Sequence, residues 1–168
     1  MTRAKPRPAR GEPYPAEDLS QHPGHLIRRA QQALNSAWAD KVSKTISSPQ
    51  FAVMNALLAD PELDQRTVGE RVDIDRSTMA DIVSRLTARG LLEWTRDSTD
   101  GRRKMIRLSP KGRAMLQEII PRTKTMTRHL VRALSPDEEA ELRRLLRLVV
   151  TAHDDSRSSS TNGSSRQT

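Results

Sequence analysis

The amino-acid sequence predicts a mainly α-helical fold with one small β-hairpin. Apolar residues recur at the three- and four-residue spacing of amphipathic helices over most of residues 23–153. The exception is residues 91–108, where two short apolar runs flank a stretch of turn-forming residues, Asp97-Ser98-Thr99-Asp100-Gly101. Aromatic residues make up only 2% of the 168 residues, so a core must be built from aliphatic side chains. A chain of this length predicts one domain.

Two helices are predicted at the start of the ordered chain. Residues 23–43 form the first, whose apolar stripe includes Leu26, Leu34 and Val42. Ser48-Pro49 is a helix-start pattern for the second, which is expected to end at Asp60-Pro61.

Residues 64–90 predict two short helices joined by a tight turn. Asp75 is placed to cap the second helix, because its carboxylate can accept hydrogen bonds from the amides of Ser77 or Thr78. Gly69 is small where the two helices would cross closely, and Gly90 is suited to end the second helix in the left-handed conformation. The apolar positions that would pack this pair are Val68, Val72, Ile74, Met79, Ile82, Val83 and Leu86.

A cationic hairpin follows the helix pair. The predicted strands are Leu91–Arg96 and Arg103–Leu108, and residues 96–113 contain seven basic and two acidic residues in a chain of net charge +8. This order is typical of a winged helix-turn-helix, a unit that binds double-stranded DNA. The residues expected to contact DNA are Arg66, Thr67, Arg76, Ser77, Thr78, Asp81, Arg85, Arg102, Arg103 and Lys104.

Two further helices are predicted after the hairpin. Ser109-Pro110 begins one that runs to about residue 132, and Pro121 inside it is expected to kink or break it, because proline lacks a backbone donor. Ser135 and Glu138 have the spacing of a capping box and begin the last helix, which is expected to end near residue 153.

The organisation of the chain follows from these elements. Residues 1–20 are predicted to be a disordered basic arm and residues 154–168 a disordered tail. Residues 21–153 form the domain, with a DNA-binding head over residues 46–108. The amphipathic helices 23–43 and 110–153 flank this head and predict a homodimer, which would place two heads on two half-sites of a duplex.

Composition argues against other functions. The absence of Cys excludes disulfides, thiolate metal sites and a cysteine nucleophile. His22 and His25 lack further metal ligands nearby, and Ser77 and Ser84 lack a His-Asp arrangement, so no catalytic, metal or cofactor site and no enzyme is predicted. No membrane-spanning run or signal peptide is evident, which predicts a cytoplasmic protein associated with the nucleoid.

The chain resembles the MarR family of bacterial winged-helix regulators over residues 23–153. The most specific match is Asp97-x-x-Asp100-Gly101-Arg102-Arg103 leading into Leu108-Ser109-Pro110-Lys111-Gly112, followed by the segment from Asp75 to Leu92. The resemblance implies a homodimer that binds a pseudo-palindromic operator, represses transcription and releases DNA when a phenolic or carboxylate ligand binds. It also implies that Arg102 enters the minor groove and that Asp100 pairs with Arg85 or Arg103. Asp73 stands where this motif commonly has Gly, and Asp tolerates the left-handed region.

An effector site is expected between the head and the helices that flank it. Residues 24–32 are similar to the first helix of family members that control nicotinate-type breakdown. His25, Arg28 and Arg29 offer groups for a small aromatic carboxylate, with Trp38 as an apolar wall. Trp38 has a second interpretation, as core or dimer-interface packing. Two alternatives stay open for the whole protein. One is a constitutive or architectural DNA-binding protein without an effector, and the other is a degenerate enzyme or a protein-interaction module that uses the first and last helices.

Overall fold

The computed structural model describes residues 18–96 and 104–162. A short 3-10 turn at Leu19–Gln21 is followed by four helices, a two-stranded hairpin and two further helices. They are α1 (Pro23–Lys41), α2 (Ser48–Ala59), α3 (Gln65–Arg71), α4 (Arg76–Ala88), β1 (Leu92–Arg96), β2 (Lys104–Leu108), α5 (Pro110–Leu130) and α6 (Pro136–Asn162). The predicted fold class, mainly α-helical with a hairpin wing, is confirmed.

One aliphatic core joins the head to the flanking helices. Trp38 of α1 and Leu116, Ile119 and Met126 of α5 are buried in the same cluster as the head residues. The fully buried large side chains are Ile46, Val53, Met54, Leu57, Val68, Met79, Leu86, Leu91, Leu92, Ile106 and Leu116. The head and α5 are therefore parts of a single folded unit.

Local capping interactions set the helix starts. The hydroxyl of Ser47 accepts from the Gln50 amide, and the Gln50 side chain accepts from the Ser47 amide, so the cap of α2 is Ser47 and not Ser48. The predicted capping box of Ser135 and Glu138 is present at the start of α6.

The helix pair α3–α4 needs a small residue where the helices cross and two residues in the left-handed backbone conformation. A Cβ at Gly69 would lie 3.1 Å from the Ile74 carbonyl oxygen, so only glycine fits this crossing without displacement. Asp73 adopts φ = 50° in the turn and Gly90 adopts φ = 69° after α4. Both left-handed positions were predicted from the sequence, and both are confirmed.

The hairpin has an additional backbone contact, on the outer side of β2, that the sequence did not predict. β1 and β2 pair in antiparallel register, with Leu92 opposite Leu108 and Trp94 opposite Ile106. The Ile106 amide also donates to the carbonyl of Leu63 at 2.8 Å, which forms a bridge on the other side of β2. The base of the hairpin is therefore held from two sides.

Ser109 joins the end of α4 to the start of α5. Its hydroxyl donates to the Gly90 carbonyl at 2.7 Å and accepts from the Gly112 amide at 2.9 Å. Its own amide donates to the carbonyl of Leu91 at 3.1 Å. Gly112 has no room for a side chain, because a Cβ there would overlap the Leu91 carbonyl. These contacts bring the two helices together at one buried residue.

The structure tests two expectations about the last helices. Helix α5 is continuous through Pro121, so the expected break is absent, while a kink there stays a prediction. Pro121 and Gln117 are both exposed, so water can satisfy the carbonyl that loses its helical donor. Helix α6 extends to Asn162 and so includes much of the predicted disordered tail. No glycine or proline interrupts the chain between Pro136 and Gly163, which allows the helix to propagate.

Candidate nucleic-acid interface

The first turn of α4 is built around the Asp75 carboxylate. Asp75 Oδ1 accepts from the amides of Ser77 and Thr78, each at 3.0 Å, and from the Ser77 hydroxyl at 2.6 Å. The hydrogen bonds from Ser77 and then Thr78 lower the pKa of Asp75 far below its ordinary value. The cap was predicted from the sequence and is confirmed.

The rest of α4 divides into a buried and an exposed face. Met79, Ile82, Val83 and Leu86 enter the core. The predicted contact residues Arg76, Ser77, Thr78, Asp81 and Arg85 are all exposed on the other side. Within the part of the chain that the structure describes, neither Arg76 nor Arg85 forms an ion pair. The exposed side chains of α4 are therefore accessible to DNA, as the side chains of a recognition helix must be.

The two predicted contact residues of α3 are in different settings. Arg66 is exposed, and its Nε forms an ion pair with Glu70 Oε1 at 2.7 Å. Thr67 is half-buried, and its amide and hydroxyl both donate to Asp64 as part of the α3 cap. Thr67 thus has a structural role that the sequence analysis did not assign to it.

The hairpin presents cations on one face. Arg96 and Lys104 are directly opposed at its described end, and both are exposed. Arg107, by contrast, is held by Glu93 at 3.1 Å and by Glu62 at 3.7 Å. Arg102 and Arg103, together with Asp100, lie outside the described residues, so their predicted roles at the wing tip stay predictions.

A groove separates the helix pair from the hairpin. It has a volume of about 820 Å³, and its walls include Arg66 and Glu70 of α3, Arg76 of α4, and Trp94 and Lys104 of the hairpin. Trp94 is 46% exposed. The sequence analysis assigned no role to Trp94; alternation along β1 was the only signal that placed it on the same face as Leu92 and Arg96.

A second cavity lies between the head and the helices that flank it. It has a volume of about 640 Å³ and is lined by residues of α1, α2, α3 and α5. Trp38 is on its wall, donates from Nε1 to the Ile46 carbonyl at 2.6 Å and stacks obliquely on Phe51 with ring centroids 5.3 Å apart. Arg71 also lines this crevice, with its guanidinium 3.0 Å from the Asp60 carboxylate. Sequence analysis missed Arg71, which looks like any surface charge at the end of a helix.

The predicted ligand residues of α1 are not brought together with Trp38 in one chain. His25 is half-buried and Arg28 and Arg29 are exposed; Arg28 donates to Gln32 at 3.1 Å and lies 3.4 Å from His25 Nδ1. None of the three lines the crevice around Trp38 among the described residues. Nine to thirteen residues of helix separate them from Trp38, about 14–20 Å along the axis, which is more than a single aromatic ring can span.

The described part of α6 has an unpartnered apolar stripe. From residue 141 to residue 152 every side chain of α6 is exposed. Leu142, Leu145, Leu146 and Val149 follow the i, i+3, i+4, i+7 spacing of one helix face. Leu26 and Ile27 of α1 are also about half exposed. Apolar surface of this extent on a folded domain indicates a protein interface.

The described residues include neither a membrane-spanning helix nor a cluster of metal ligands. No helix there is both long enough and apolar enough to cross a bilayer. No group of His, Asp and Glu in the same residues has an arrangement that could hold a metal ion.

Comparison with known proteins gives a consistent picture. Residues 44–103 match the sequence model of the MarR family. The PcaV transcriptional regulator from Streptomyces coelicolor, crystallised in complex with its natural ligand, is 48% identical, with a TM-score of 0.79 over 83% of this chain and 99% of that chain. BpsR of Bordetella bronchiseptica, whose DNA binding is regulated by 6-hydroxynicotinic acid, is 30% identical, with a TM-score of 0.68 over 76% of this chain and 97% of that chain. The transcriptional repressor NicR of Pseudomonas putida is 26% identical over 88% of this chain and 92% of its own length.

Proposed function

This chain belongs to the MarR family of transcriptional regulators, and from that premise we propose that it is a homodimeric repressor that binds a pseudo-palindromic operator and is released by a small aromatic acid. Its relatives are transcriptional regulators and not enzymes. The observation that carries the proposal is the exposed first turn of α4, where the cap frees Arg76 and Thr78 to face outward.

Specific DNA binding is supported by the character of this surface. The amides at the start of α4 are satisfied by Asp75, so the side chains that follow are available for base edges. Arg76 can form a bidentate contact with guanine, and Thr78 can donate to or accept from a base. Arg96 and Lys104 of the hairpin, which have no ion-pair partner among the described residues, suit phosphate, and a phosphate contact positions the protein without selecting a sequence.

Selection from a randomised duplex library tests this part of the proposal. The protein is expected to enrich one inverted-repeat consensus, with half-sites about one helical turn apart. Fluorescence anisotropy with the enriched duplex and a scrambled duplex then measures the preference. Enrichment of no consensus would favour an architectural role, and the absence of any duplex binding at micromolar protein would leave the protein-interaction alternative.

The homodimer is supported by the apolar stripe of α6. An isolated helix with four or more half-exposed aliphatic residues on one face gains little from the remainder of its own chain. A second copy can bury this face by an isologous contact, which relates the two heads by a two-fold axis. That symmetry is the one a pseudo-palindromic operator has.

The effector is placed in the crevice next to Trp38. An aromatic ring can pack against Trp38 and Phe51, and a carboxylate can bind the guanidinium of Arg71, which is 43% exposed and already positioned by Asp60. The ligand-bound PcaV structure and the effect of 6-hydroxynicotinic acid on BpsR support a ligand of this class. His25, Arg28 and Arg29 can reach such a ligand only from a second copy of the chain.

A panel of nicotinate-, benzoate- and salicylate-type acids tests the effector. Calorimetry measures binding to the protein, and anisotropy measures release of the enriched duplex. We expect Arg71→Gln to weaken acid binding and Arg113→Gln, a matched change at an exposed residue of α5 that does not line the crevice, to leave it unchanged. Loss of binding in Arg29→Gln without loss in Arg71→Gln would place the acid on α1, and a panel without any binder below about 1 mM would favour the constitutive alternative.

A further inference from the structure

We propose that Trp94 is a further DNA-contacting residue, which packs its indole against the sugar-phosphate backbone in the groove between the helix pair and the hairpin. This inference rests on the proposed DNA binding and adds a contact that is neither a recognition-helix nor a wing-tip residue. Trp94 is 46% exposed, whereas Trp38, the chain's other tryptophan, is 6% exposed and hydrogen-bonded in the core. A large exposed aromatic residue at a cationic surface indicates a contact surface.

The face of the hairpin that carries Trp94 changes from apolar to cationic along its length. Leu92 and Leu108 are buried at the base, Ile106 is buried opposite Trp94, and Arg96 and Lys104 face each other at the far end. Like charges directly opposite on a hairpin destabilise it. Among the residues that the structure describes, neither Arg96 nor Lys104 has an acidic partner. An anion between them would relieve this repulsion.

The groove is lined by three acidic and three basic residues, and the difference between them is in which groups are available to a polyanion. Its acidic residues are engaged within the protein: Glu70 by Arg66, and Asp75 by the amides of α4; Asp73 also has an interaction. Arg76 and Lys104 lack ion pairs among the described residues, and they lie on opposite walls with Trp94 between the core and Lys104. The groove therefore combines two available cations with one apolar platform.

The position of the groove indicates the part of DNA that it meets. A helix of this motif enters the major groove and the hairpin lies toward the adjacent minor groove, and one strand of the sugar-phosphate backbone separates these two grooves. The surface between α4 and the hairpin thus faces that backbone. The indole can pack on deoxyribose and its N–H can donate to a phosphate oxygen, while the cations neutralise neighbouring phosphates.

Single-tryptophan proteins give a direct test. Trp38→Phe leaves Trp94 as the only tryptophan, and Trp94→Phe leaves Trp38, so excitation at the red edge of the tryptophan band reports on one residue at a time. The enriched duplex is the probe, and its binding is measured separately by anisotropy. We expect the duplex to change the emission of Trp94 and shield it from acrylamide, and to leave the Trp38 signal nearly unchanged. Acrylamide quenching of the unmodified protein with and without duplex gives the same information if Trp38→Phe folds poorly.

Affinity measurements distinguish a direct contact of Trp94 with DNA from a role of Trp94 in the fold. Trp94→Ala is expected to weaken duplex binding about tenfold, because burial of even half of the exposed indole is worth that much at the usual transfer free energy of apolar surface. Trp94→Phe should recover most of the affinity, and Thr95→Ala, on the opposite face of β1, should not change it.

Three outcomes would count against these proposals. If the duplex binds but changes neither the emission of Trp94 nor, in Trp94→Ala, the affinity, the inference is overturned and the proposed function stands. A duplex that does not bind at all would count against the proposed function instead. Quenching of Trp94 by micromolar salicylate without DNA would assign the groove to a small acid and overturn the inference as well.

Discussion

Arg89 donates a hydrogen bond from Nη1 to the carbonyl oxygen of Thr45 at 2.6 Å. This contact ties the C-terminal cap of α4 to the loop between α1 and α2, 44 residues away in the chain. The next residue of that loop, Ile46, accepts from the indole of Trp38, which lines the crevice. Two neighbouring carbonyls therefore connect the end of the proposed recognition helix to the wall of the proposed effector site.

Arg89→Ala is expected to lower the free energy of unfolding by about 1 kcal/mol, the usual net value of one hydrogen bond. For a domain of this size this lowers Tm by about 2–4 °C. Thermal unfolding of the variant measures the change. Arg113→Ala is the control, because Arg113 is exposed and has no partner among the described residues. Equal Tm values for the two variants would show that the Arg89 contact contributes nothing.

Leu146→Glu is expected to convert the dimer to a monomer, because it places a charge in the centre of the apolar stripe of α6. Sedimentation equilibrium at micromolar concentration should give about twice the chain mass of 18.9 kDa for the unmodified protein and the chain mass for the variant. Arg147→Gln, a change off the stripe on the same helix, should stay dimeric. A monomeric unmodified protein would contradict the prediction.

Arg76→Ala and Thr78→Ala are expected to change the sequence that the protein selects, because a good bidentate base contact discriminates by about 1–3 kcal/mol. Lys104→Ala should weaken binding to all duplexes alike and reduce the salt dependence by about one phosphate contact per subunit. Library selection and salt titration measure the two effects. An identical consensus for both helix variants would place the base contacts elsewhere.

Gly112→Ala is expected to destabilise the protein by about 1–3 kcal/mol, because the new Cβ would overlap the Leu91 carbonyl and force α5 away from the hairpin. Gly90→Ala meets no atom within 4 Å and costs only the left-handed backbone strain, about 1 kcal/mol. Urea denaturation should rank the two variants in this order. The opposite order would mean that the α5–hairpin contact is loose.

Asp75→Asn is expected to lower Tm at pH 6, since Asn can still cap α4 but loses the charge that the Ser77 and Thr78 hydrogen bonds favour. The pKa of Asp75 is lowered on folding, so the stabilisation is fully present above its ordinary value near 3.8 and decreases as the pH falls below it. The Tm difference between the two proteins should narrow below about pH 4. A difference that is constant from pH 6 to pH 3 would rule out ionisation of Asp75 as its source.

The features that could be predicted from sequence are those set by nearby residues. The caps at Asp75 and Ser109 and the left-handed Asp73 and Gly90 depend on neighbours within three or four positions. The exposed face of α4 followed from its apolar spacing. These interactions keep the same geometry in almost any tertiary context, which is why sequence patterns identify them.

The remaining features depend on distant segments. Nothing local marks Leu63 as a partner of Ile106, or Arg71 as part of a crevice formed with α1, α2 and α5. His25 and Trp38 were grouped because both lie on α1, although helical rise separates them by about 20 Å. Burial confirms Trp38 as a core residue, while its place beside the cavity leaves its contact with a ligand a prediction.

The Ser109 junction has a mechanical consequence. Because Ser109 and the Lys111–Arg89 contact at 2.8 Å fasten α4 to the start of α5, these two helices are expected to move as one lever. Helix α5 has 21 residues and is about 30 Å long, so a rotation of about ten degrees about its C-terminal end displaces its start, and α4 with it, by about 5 Å. That distance exceeds the roughly 3.4 Å rise of one base pair. In the proposed dimer, such a tilt of α5 in each subunit would be enough to put the two α4 helices out of step with successive turns of a duplex.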